Sequence, residues 1–354
     1  SSAASDVYKR QLSMRAKTII SFVLFAVVFT GLTLIASYCD LSISKILTKN
    51  TLPEGAYIST SVFTLFFEAM GSCPIYLVVS IAGAIWFWWG IAHKKIWLSV
   101  IAAILVFIGF FLTLQDVFKY YTEAVTASLN NGIPVEVEMK GGFYKTLISA
   151  VIAIAEGACL VFAWSRVKPE TNDALFKWVF VIVVAMAGYL IVHFVKGPVG
   201  RMRFRTMNAA GDTEFTQFTN WWVSNGKRKP YSAEAGTVPV LPSDQCKSFP
   251  SGHTYSAGLI YTLICLPDLV KSIGDKKWTR PVIYAVTIAF TGIVAISRIA
   301  AGAHYMSDVL FGGTLSFLFM MIGREIFIFK GAHFKALFER KAVPLDGDNA
   351  ETAE

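Results

Sequence analysis

The feature that most constrains the fold is a series of long apolar runs separated by short polar segments. A helix needs roughly 20 apolar residues to cross a hydrocarbon core about 30 Å thick. Eight runs reach or approach that length: Thr18–Tyr38, Pro74–Ala92, Ile96–Phe118, Thr146–Trp164, Trp178–Phe194, Thr254–Val270, Val282–Ser297 and Val309–Phe329. The sequence therefore predicts an all-α fold, a polytopic membrane helix bundle of about eight transmembrane helices.

Composition favours the same class and excludes others. The chain is 55% hydrophobic and 16% charged, whereas a soluble domain of this length carries more charge. Its net charge of +8 does not indicate nucleic acid, because the basic residues lie at the ends of the apolar runs instead of on one polar stretch. The five cysteines form no CxxC or Cys/His cluster. We therefore expect no nucleic-acid partner, no metal and no cofactor.

The basic residues also predict the topology. With both termini in the cytoplasm, the basic clusters that border the runs all fall on the cytoplasmic side, as the positive-inside rule requires. Seven of the nine tryptophans lie beside those clusters, as expected of an interfacial aromatic belt. The first run is longer than the apolar part of a secretory leader and lacks an A-x-A site, so we expect it to remain as a helix. The longest loop, Phe204–Phe249, is then predicted on the outer side.

Three polar clusters interrupt the apolar chain, and all three fall at helix ends on this predicted outer face. The first is KGPVGRMR, which places Lys196 and Arg203 after the fifth run. The second is FPSGH, in which Ser251, Gly252 and His253 open the sixth run; the third is SRIAAGAHYMSD, with Arg298, His304 and Asp308. Because the long loops of a membrane bundle commonly carry its function, these clusters are the candidate site.

The basic residues of the three clusters indicate an anionic ligand. Lys196, Arg203 and Arg298 would be costly to hold together near a membrane unless an anion neutralised them. A guanidinium fork matches phosphate oxygens, and a lysine adds a point charge. The Ser251 hydroxyl and the backbone N–H groups of Gly252 and His253 begin a predicted helix, where an oxyanion is favoured. We therefore predict a phosphate-binding site.

Two histidines supply candidate reacting groups. His304 and Asp308 are four positions apart, so on a helix Asp308 would accept the proton of one ring nitrogen and leave the other as a nucleophile. His253, on a different helix, would protonate the leaving group and then activate water.

At these positions the chain resembles the type 2 phosphatidic acid phosphatase superfamily, which also includes the vanadium haloperoxidases. The resemblance rests on Lys-x6-Arg, Pro-Ser-Gly-His and Ser-Arg-x5-His-x3-Asp, here ten matched positions between Lys196 and Asp308. The proline that usually follows the first arginine is Phe204 in this chain.

This resemblance implies a metal-independent reaction through a phosphohistidine on His304, with Asp308 and His253 in support. It implies that Lys196, Arg203, Ser251, Gly252 and Arg298 surround the phosphate. It also implies a domain division: residues 1–95 form an additional N-terminal transmembrane helix pair, residues 96–329 the six-helix phosphatase core, and residues 330–354 a cytoplasmic tail.

The implied partners are the lipid bilayer and a lipid phosphomonoester or pyrophosphate of the phosphatidic acid, phosphatidylglycerol phosphate or polyprenyl pyrophosphate type. A lipid phosphotransferase using the same phosphohistidine is one alternative, and a non-catalytic lipid-binding or transport bundle is another. A haloperoxidase is disfavoured because those enzymes are soluble. The substrate and the oligomeric state stay open.

A few further residues allow two interpretations. Glu156 in the fourth run would be either functional or a protonated group hydrogen-bonded inside the bundle. Trp221 and Trp222 in the outer loop would either enter the leaflet or pack within the loop. Cys39 and Cys73 border the first outer loop and could form a disulfide on an oxidising side.

Overall fold

A computed structural model describes residues 2–132, 142–226 and 244–338 of the chain, with side chains from residue 14 onward. Its regular elements in these ranges are all helices. Seven are long and apolar enough to cross a membrane: α1 (Ser2–Thr48), α2 (Val62–Ala92), α3 (Ile96–Leu129), α4 (Gly142–Trp164), α5 (Pro169–Val199), α10 (Thr279–Ala300) and α11 (Met306–Phe327). The chain is therefore a multi-pass helical membrane protein.

The remaining helices are short. Helix α6 (Phe204–Ala209) lies in the predicted long outer loop, α9 (Lys271–Gly274) precedes α10, and α12 (Ala332–Phe338) follows α11. The middle of the long outer loop and the acidic C-terminal tail lie outside the described residues.

The sixth predicted span differs from a regular transmembrane helix. It consists of α7 (Gly252–Gly258), a 3₁₀ helix (Leu259–Cys265) and α8 (Leu266–Leu269) in direct succession. Unlike a lipid-facing helix, its α7 part is almost entirely buried. A Cβ atom on Gly258 would lie 2.7 Å from the Ser316 side chain of α11. The sequence predicts eight long helices. The described part of the chain has seven, and this segmented element takes the place of the predicted sixth.

The bundle is held by close helix contacts through small residues. Helices α2 and α3 pack along most of their length, and α2 also contacts α5, α7 and α10. A Cβ atom on Gly83 of α2 would lie 2.9 Å from the Ala102 carbonyl oxygen, and one on Gly109 of α3 would lie 2.6 Å from the Tyr76 carbonyl oxygen. Glycine is therefore needed where these two helices meet, as is common in membrane bundles.

The structure also shows where Glu156 and the two cysteines lie. Glu156 is exposed on the outward face of α4, so it is not hydrogen-bonded inside the bundle, whereas the adjacent Gly157 is buried and its Cβ position lies 3.1 Å from Val106 of α3. Cys39 and Cys73 are both free thiols. The Cys73 side chain is buried in α2 and bonds to the Ala69 carbonyl oxygen of its own helix, so the suggested disulfide is not formed.

The helix order brings four chain segments to one end of the bundle. Helices α5 and α10 end there, and α7 and α11 begin there. The segment that links α1 to α2 lies at the same end, since Thr51 donates a hydrogen bond to the Ala300 carbonyl oxygen at the end of α10. We call this the site end of the bundle, because it holds all three polar clusters.

Candidate active site

The site end brings the predicted residues together. Lys196 lies in the last turn of α5, Arg298 in the last turn of α10, and Asp308 in the first turn of α11. His253, in the first turn of α7, is close enough to Arg298, His304, Lys196 and Arg203 to interact with them electrostatically. Residues more than 100 positions apart in the sequence thus form one polar cluster.

His304 lies in the short connection between α10 and α11 and is almost completely buried. Its Nδ1 atom is 2.6 Å from the Ser248 carbonyl oxygen. A carbonyl oxygen only accepts hydrogen bonds, so Nδ1 must carry the proton and Nε2 the lone pair. Burial lowers the pKa of His304 to about 3, with Arg203 and Lys196 acting in the same direction and Asp308 opposing them. The imidazole is therefore neutral at physiological pH, with Nε2 as its nucleophilic atom.

Asp308 supports His304 less directly than its spacing suggests. The predicted stacking on one helix is wrong, because α11 begins at Met306 and His304 precedes it. Asp308 instead accepts a hydrogen bond from the Tyr305 backbone N–H at 2.8 Å, in a capping box at the helix start. Its Oδ2 atom is 3.7 Å from His304 Nδ1 and 2.5 Å from Ser248 Oγ. Asp308 therefore holds Ser248, and Ser248 in turn holds the imidazole.

A buried arginine that the motifs do not include holds the other oxygen of Asp308. Arg201 Nη1 donates to Asp308 Oδ1 at 2.6 Å, and Arg201 Nη2 donates to Asp40 Oδ2 of α1 at 2.9 Å. Burial alone would lower the pKa of Arg201, but these two carboxylates raise it. Arg201 lies inside KGPVGRMR, between the two matched basic positions, so only the need of a buried arginine for carboxylate partners could have singled it out.

Lys196 and Arg203 line the site from the α5 side. Lys196 Nζ donates to the Lys247 carbonyl oxygen at 3.3 Å, and it lies 3.6 Å from the position that a Cβ atom of Gly252 would take. Arg203 Nη2 is 2.8 Å from Asp244 Oδ2, and its Nε donates to the Asp244 carbonyl oxygen at 3.1 Å. Gly252 thus leaves space beside the lysine ammonium group where any larger residue would place a side chain.

Asp244 also bonds to residues that the motifs do not include. The Tyr57 hydroxyl, from the segment between α1 and α2, donates to Asp244 Oδ1 at 2.8 Å, and Arg205 Nη2 lies 3.8 Å from Asp244 Oδ2. Burial would raise the pKa of Asp244, but Arg203 and Arg205 hold it well below its usual range. Asp244 is therefore an ionised counter-charge at the edge of the site.

Arg298 is paired with α2. Its Nη1 atom is 2.6 Å from Glu68 Oε1, and its Nη2 atom donates to the Thr64 carbonyl oxygen at 2.5 Å. Each terminal nitrogen of a guanidinium group carries a second N–H. Arg298 is thus held by α2 while it keeps donors for an incoming anion. Glu68 could have been singled out from the sequence, because it is a carboxylate within an otherwise apolar run.

Ser251 shapes the start of α7. Its oxygen accepts hydrogen bonds from the Thr254 backbone N–H at 3.3 Å and the Thr254 hydroxyl at 3.0 Å, which makes it the N-cap. Its own backbone N–H donates to the Asp308 carbonyl oxygen at 2.9 Å. Gly312 of α11 also contacts Ser251, and a Cβ atom there would overlap the Ser251 carbonyl oxygen. In both contacts the Ser251 hydroxyl is the acceptor, so its own hydrogen is left for the predicted contact with a phosphate.

The second histidine has a partner from α3. The Tyr120 hydroxyl lies 2.8 Å from His253 Nε2, and the two rings meet edge to face. No local pattern in the sequence singles out this tyrosine, because it lies in a long helix among other aromatic and polar residues. Its hydrogen bond fixes the orientation of the His253 ring.

The two loop tryptophans have different environments. Trp221 donates from Nε1 to Ser37 Oγ of α1 at 3.0 Å and packs on Phe311 of α11. Trp222 is 54% exposed. The packing interpretation therefore applies to Trp221, and Trp222 alone presents its ring outward.

Ion pairs join the charged side chains of the site end. Four arginines (Arg201, Arg203, Arg205 and Arg298) pair with four carboxylates (Asp40, Glu68, Asp244 and Asp308), and Lys196 donates to the Lys247 carbonyl oxygen beside them. Within residues 2–132, 142–226 and 244–338, no three His, Cys, Asp or Glu side chains are grouped so that they could hold a metal ion. The arrangement can accept an anion next to the neutral imidazole of His304.

Comparison with known proteins agrees with this geometry. Residues 177–330 match the PAP2 superfamily, a range that includes all the motif residues. Phosphatidylglycerophosphatase B of Bacillus subtilis (strain 168) is 33% identical over 75 residues, which are 21% of this chain and 36% of that protein. The chain thus matches about a third of the length of this curated relative. No solved structure matches the chain significantly. The resemblance inferred from the motifs is confirmed over residues 177–330, which are similar to the PAP2 superfamily.

Proposed function

We propose that this protein is a membrane phosphatase that removes a phosphate from a lipid phosphomonoester or pyrophosphate, with His304 as the nucleophile. The main support for this proposal is the hydrogen bond from His304 Nδ1 to the Ser248 carbonyl oxygen. It requires the tautomer with the lone pair on Nε2, which a direct attack on phosphorus needs. The similarity of residues 177–330 to the PAP2 superfamily supports the same chemistry.

The reaction has two balanced steps. In the first, Nε2 of His304 forms a bond to phosphorus, the bond from phosphorus to the lipid oxygen breaks, and His253 gives its proton to that oxygen. In the second, His253 takes a proton from water, the water oxygen bonds to phosphorus, and the bond from phosphorus to His304 breaks. Phosphate leaves and both histidines return to their first state.

The cations of the site would stabilise the charge on the phosphate during both steps. Lys196 and Arg203 border the space beside Gly252, and Arg298 retains free N–H groups next to His253. Such fixed donors act most strongly where water is excluded. We propose that no metal takes part, since these three side chains already supply the positive charge that a metal would provide.

The position of the site suggests its side of the membrane. We infer that both termini are cytoplasmic and that the site end faces the extracytoplasmic side, because the basic clusters at the ends of the apolar runs then follow the positive-inside rule. We also infer that residues 96–329 form the phosphatase core. Helices α1 and α2 nevertheless supply Asp40 and Glu68 as partners of site residues, and the segment between them supplies Tyr57.

The decisive experiment measures phosphate release by the purified protein in detergent with EDTA. Phosphatidylglycerol phosphate is the first substrate to try, since a partial relative is named for it; phosphatidic acid and polyprenyl pyrophosphate follow. We expect the wild type to release phosphate and His304→Ala and His253→Ala to lose at least about 10³-fold in kcat. Undiminished release by His304→Ala would exclude this nucleophile.

Two controls separate the alternatives. A second lipid with a free hydroxyl is added as acceptor, and a labelled phosphate that appears on this lipid instead of in solution identifies a phosphotransferase. Loss of activity with EDTA that returns with a divalent cation would contradict a metal-independent reaction. A wild type that binds lipid phosphate in the presence of acceptor without turnover would identify a binding or transport protein.

A further inference from the structure

The first helix contributes a buried carboxylate to the site, although it lies outside the residues that match the family. Asp40 lies near the end of α1, and only 2% of it is exposed. The matched range begins at residue 177. A carboxylate is buried at such cost only when charged or polar partners surround it. Its partners therefore indicate what it does.

Those partners are two residues next to the reacting groups. Asp40 Oδ2 accepts from Arg201 Nη2 at 2.9 Å and from Ser307 Oγ at 2.5 Å, while Asp40 Oδ1 accepts from the Ser307 backbone N–H at 2.9 Å. Arg201 Nη1 donates to Ser307 Oγ at 2.7 Å and to Asp308 Oδ1 at 2.6 Å. Both carboxylate oxygens of Asp40 are thus directed at the arginine and the first turn of α11.

This geometry fixes the direction of the guanidinium group. With one carboxylate on each terminal nitrogen, Arg201 is held between Asp40 and Asp308 and cannot turn toward either without losing the other. Its plane also lies over the Tyr305 ring, 4.2 Å from the ring centre. Asp308 is therefore held by Arg201 on one oxygen, and its other oxygen is free to hold Ser248 next to His304.

We propose that Asp40 is a positioning residue for the reaction, acting through Arg201, Asp308 and Ser248 on the imidazole of His304. The proposal rests on the function inferred for His304. It makes α1 a part of the catalytic unit and not only a membrane anchor. A misplacement of about 1 Å in such a chain of contacts can cost about 100-fold in rate.

Asp40→Asn tests this role, because it keeps the shape and one acceptor oxygen of the side chain but removes its charge. Asp268→Asn is the matched control. Asp268 is also a carboxylate bound by two arginines, with Arg280 Nη1 at 2.7 Å and Arg324 Nη2 at 2.7 Å, at the other end of the bundle, and its side chain is 7% exposed. Both variants lose one charge that pairs with arginine, so a purely structural effect appears in both.

The expected result is a difference in kcat. At a temperature where both variants are folded, we expect Asp40→Asn to lower kcat about 10- to 100-fold with KM changed less than about threefold, and Asp268→Asn to leave both within about threefold. Orthovanadate, which takes the five-coordinate geometry of a phosphoryl transfer, should inhibit Asp40→Asn about tenfold more weakly than Asp268→Asn, because transition-state analogues report the same alignment.

The result that overturns the proposal is a folded Asp40→Asn protein with the kcat and vanadate inhibition of Asp268→Asn. If Asp40→Asn does not fold, Arg201→Lys decides instead: it keeps the positive charge but removes the two guanidinium nitrogens that bind Asp40 and Asp308 at once, and an unchanged kcat would reject the proposal. The proposed function fails in a different way: the wild type would lack phosphatase activity, or His304→Ala would keep it. The role of Asp40 fails only if the wild type is active and the two asparagine variants do not differ.

Discussion

Helix α11 has an arginine–carboxylate pair near each of its ends, fully buried near its start and partly buried near its end. Near its start, Asp308 binds Arg201 at 2.6 Å; near its end, Arg324 binds Asp268 at 2.7 Å. The two ends are about 33 Å apart along the neighbouring α10, given its 22 residues and a rise of about 1.5 Å per residue. We call the second the far end.

At the far end the pair is complete in itself. Asp268 accepts from Arg280 and from two nitrogens of Arg324, and no histidine is bound to it. At the site end the carboxylate of Asp308 has a further acceptor function, since it receives the Ser248 hydroxyl beside His304. The same kind of ion pair therefore connects helices at one end and, through Ser248, holds the imidazole of His304 at the other.

We expect the largest loss of kcat when the charge of Asp308 is removed. We expect Asp308→Asn to lower kcat at least about 10²-fold, because the amide would no longer fix Ser248 and the His304 tautomer. Asp268→Asn should lower thermal stability without a comparable loss of kcat. Both are measured as phosphate release and as thermal unfolding in the same detergent.

Equal losses of kcat in Asp308→Asn and Asp268→Asn would show that both pairs only stabilise the fold. A loss confined to KM in Asp308→Asn would move Asp308 from the orientation of His304 to the binding of substrate.

A second comparison uses two glycines of α11. A Cβ atom on Gly312 would overlap the Ser251 carbonyl oxygen, while one on Gly323, near the far end, would lie 3.1 Å from the Val181 Cα atom. We expect Gly312→Ala to destabilise the protein by about 1–3 kcal/mol and to lower kcat, because it displaces Ser251 and the start of α7. Gly323→Ala should cost less stability and leave kcat nearly unchanged.

Thermal unfolding and phosphate release of the two alanine variants give the answer. Gly312→Ala with wild-type kcat would mean that the position of Ser251 has no influence on the reaction.

A smaller effect is expected from the partner of His253. Tyr120→Phe removes the hydroxyl that lies 2.8 Å from His253 Nε2 but keeps the ring. We expect kcat to fall about tenfold, the lower range for a change in general acid–base catalysis. Tyr284→Phe is the control, because it also removes only a hydroxyl. Tyr284 lies in α10 and packs against the buried core near the far end.

The pH dependence of kcat then distinguishes orientation from packing. A shift in the pH profile of Tyr120→Phe would show that the tyrosine acts on His253, whereas an unchanged rate and profile would contradict that role.

The motifs singled out the residues proposed to react or to bind phosphate, but not the residues that hold them in place. Lys196, Arg203, His253 and His304 were identified because three short patterns recur at helix ends, and the helix order brings those ends together. Asp40 could not be linked to Arg201 in this way, since 161 positions separate them and no period in the sequence connects them. Buried ion pairs between distant segments become visible only when the helices are packed.

The fold shows a similar limit. Runs of apolar residues predict helices that face lipid, because lipid exposure imposes length and uniform hydrophobicity. The segment from α7 to α8 is surrounded by protein instead, so neither requirement acts on it, and its 3₁₀ turns were not predictable. The predicted stacking of His304 and Asp308 on one helix failed for a local reason: His304 precedes the helix whose periodicity was used to place it.

The last prediction is that His304 does not titrate between pH 8 and pH 5. Because burial lowers the pKa of His304 to about 3, its imidazole stays neutral as the pH falls from 8 to 5, and protonation sets in only in more acidic solution. The chain has five histidines, so the His304 signals in a ¹⁵N-histidine-labelled sample can be assigned by comparison with His304→Asn. We expect its ring nitrogen shifts to keep the Nδ1–H pattern across this range. A midpoint between pH 5 and 8 would show that water reaches the ring, and it would leave the site end without the dry, fixed imidazole that distinguishes it from the far end.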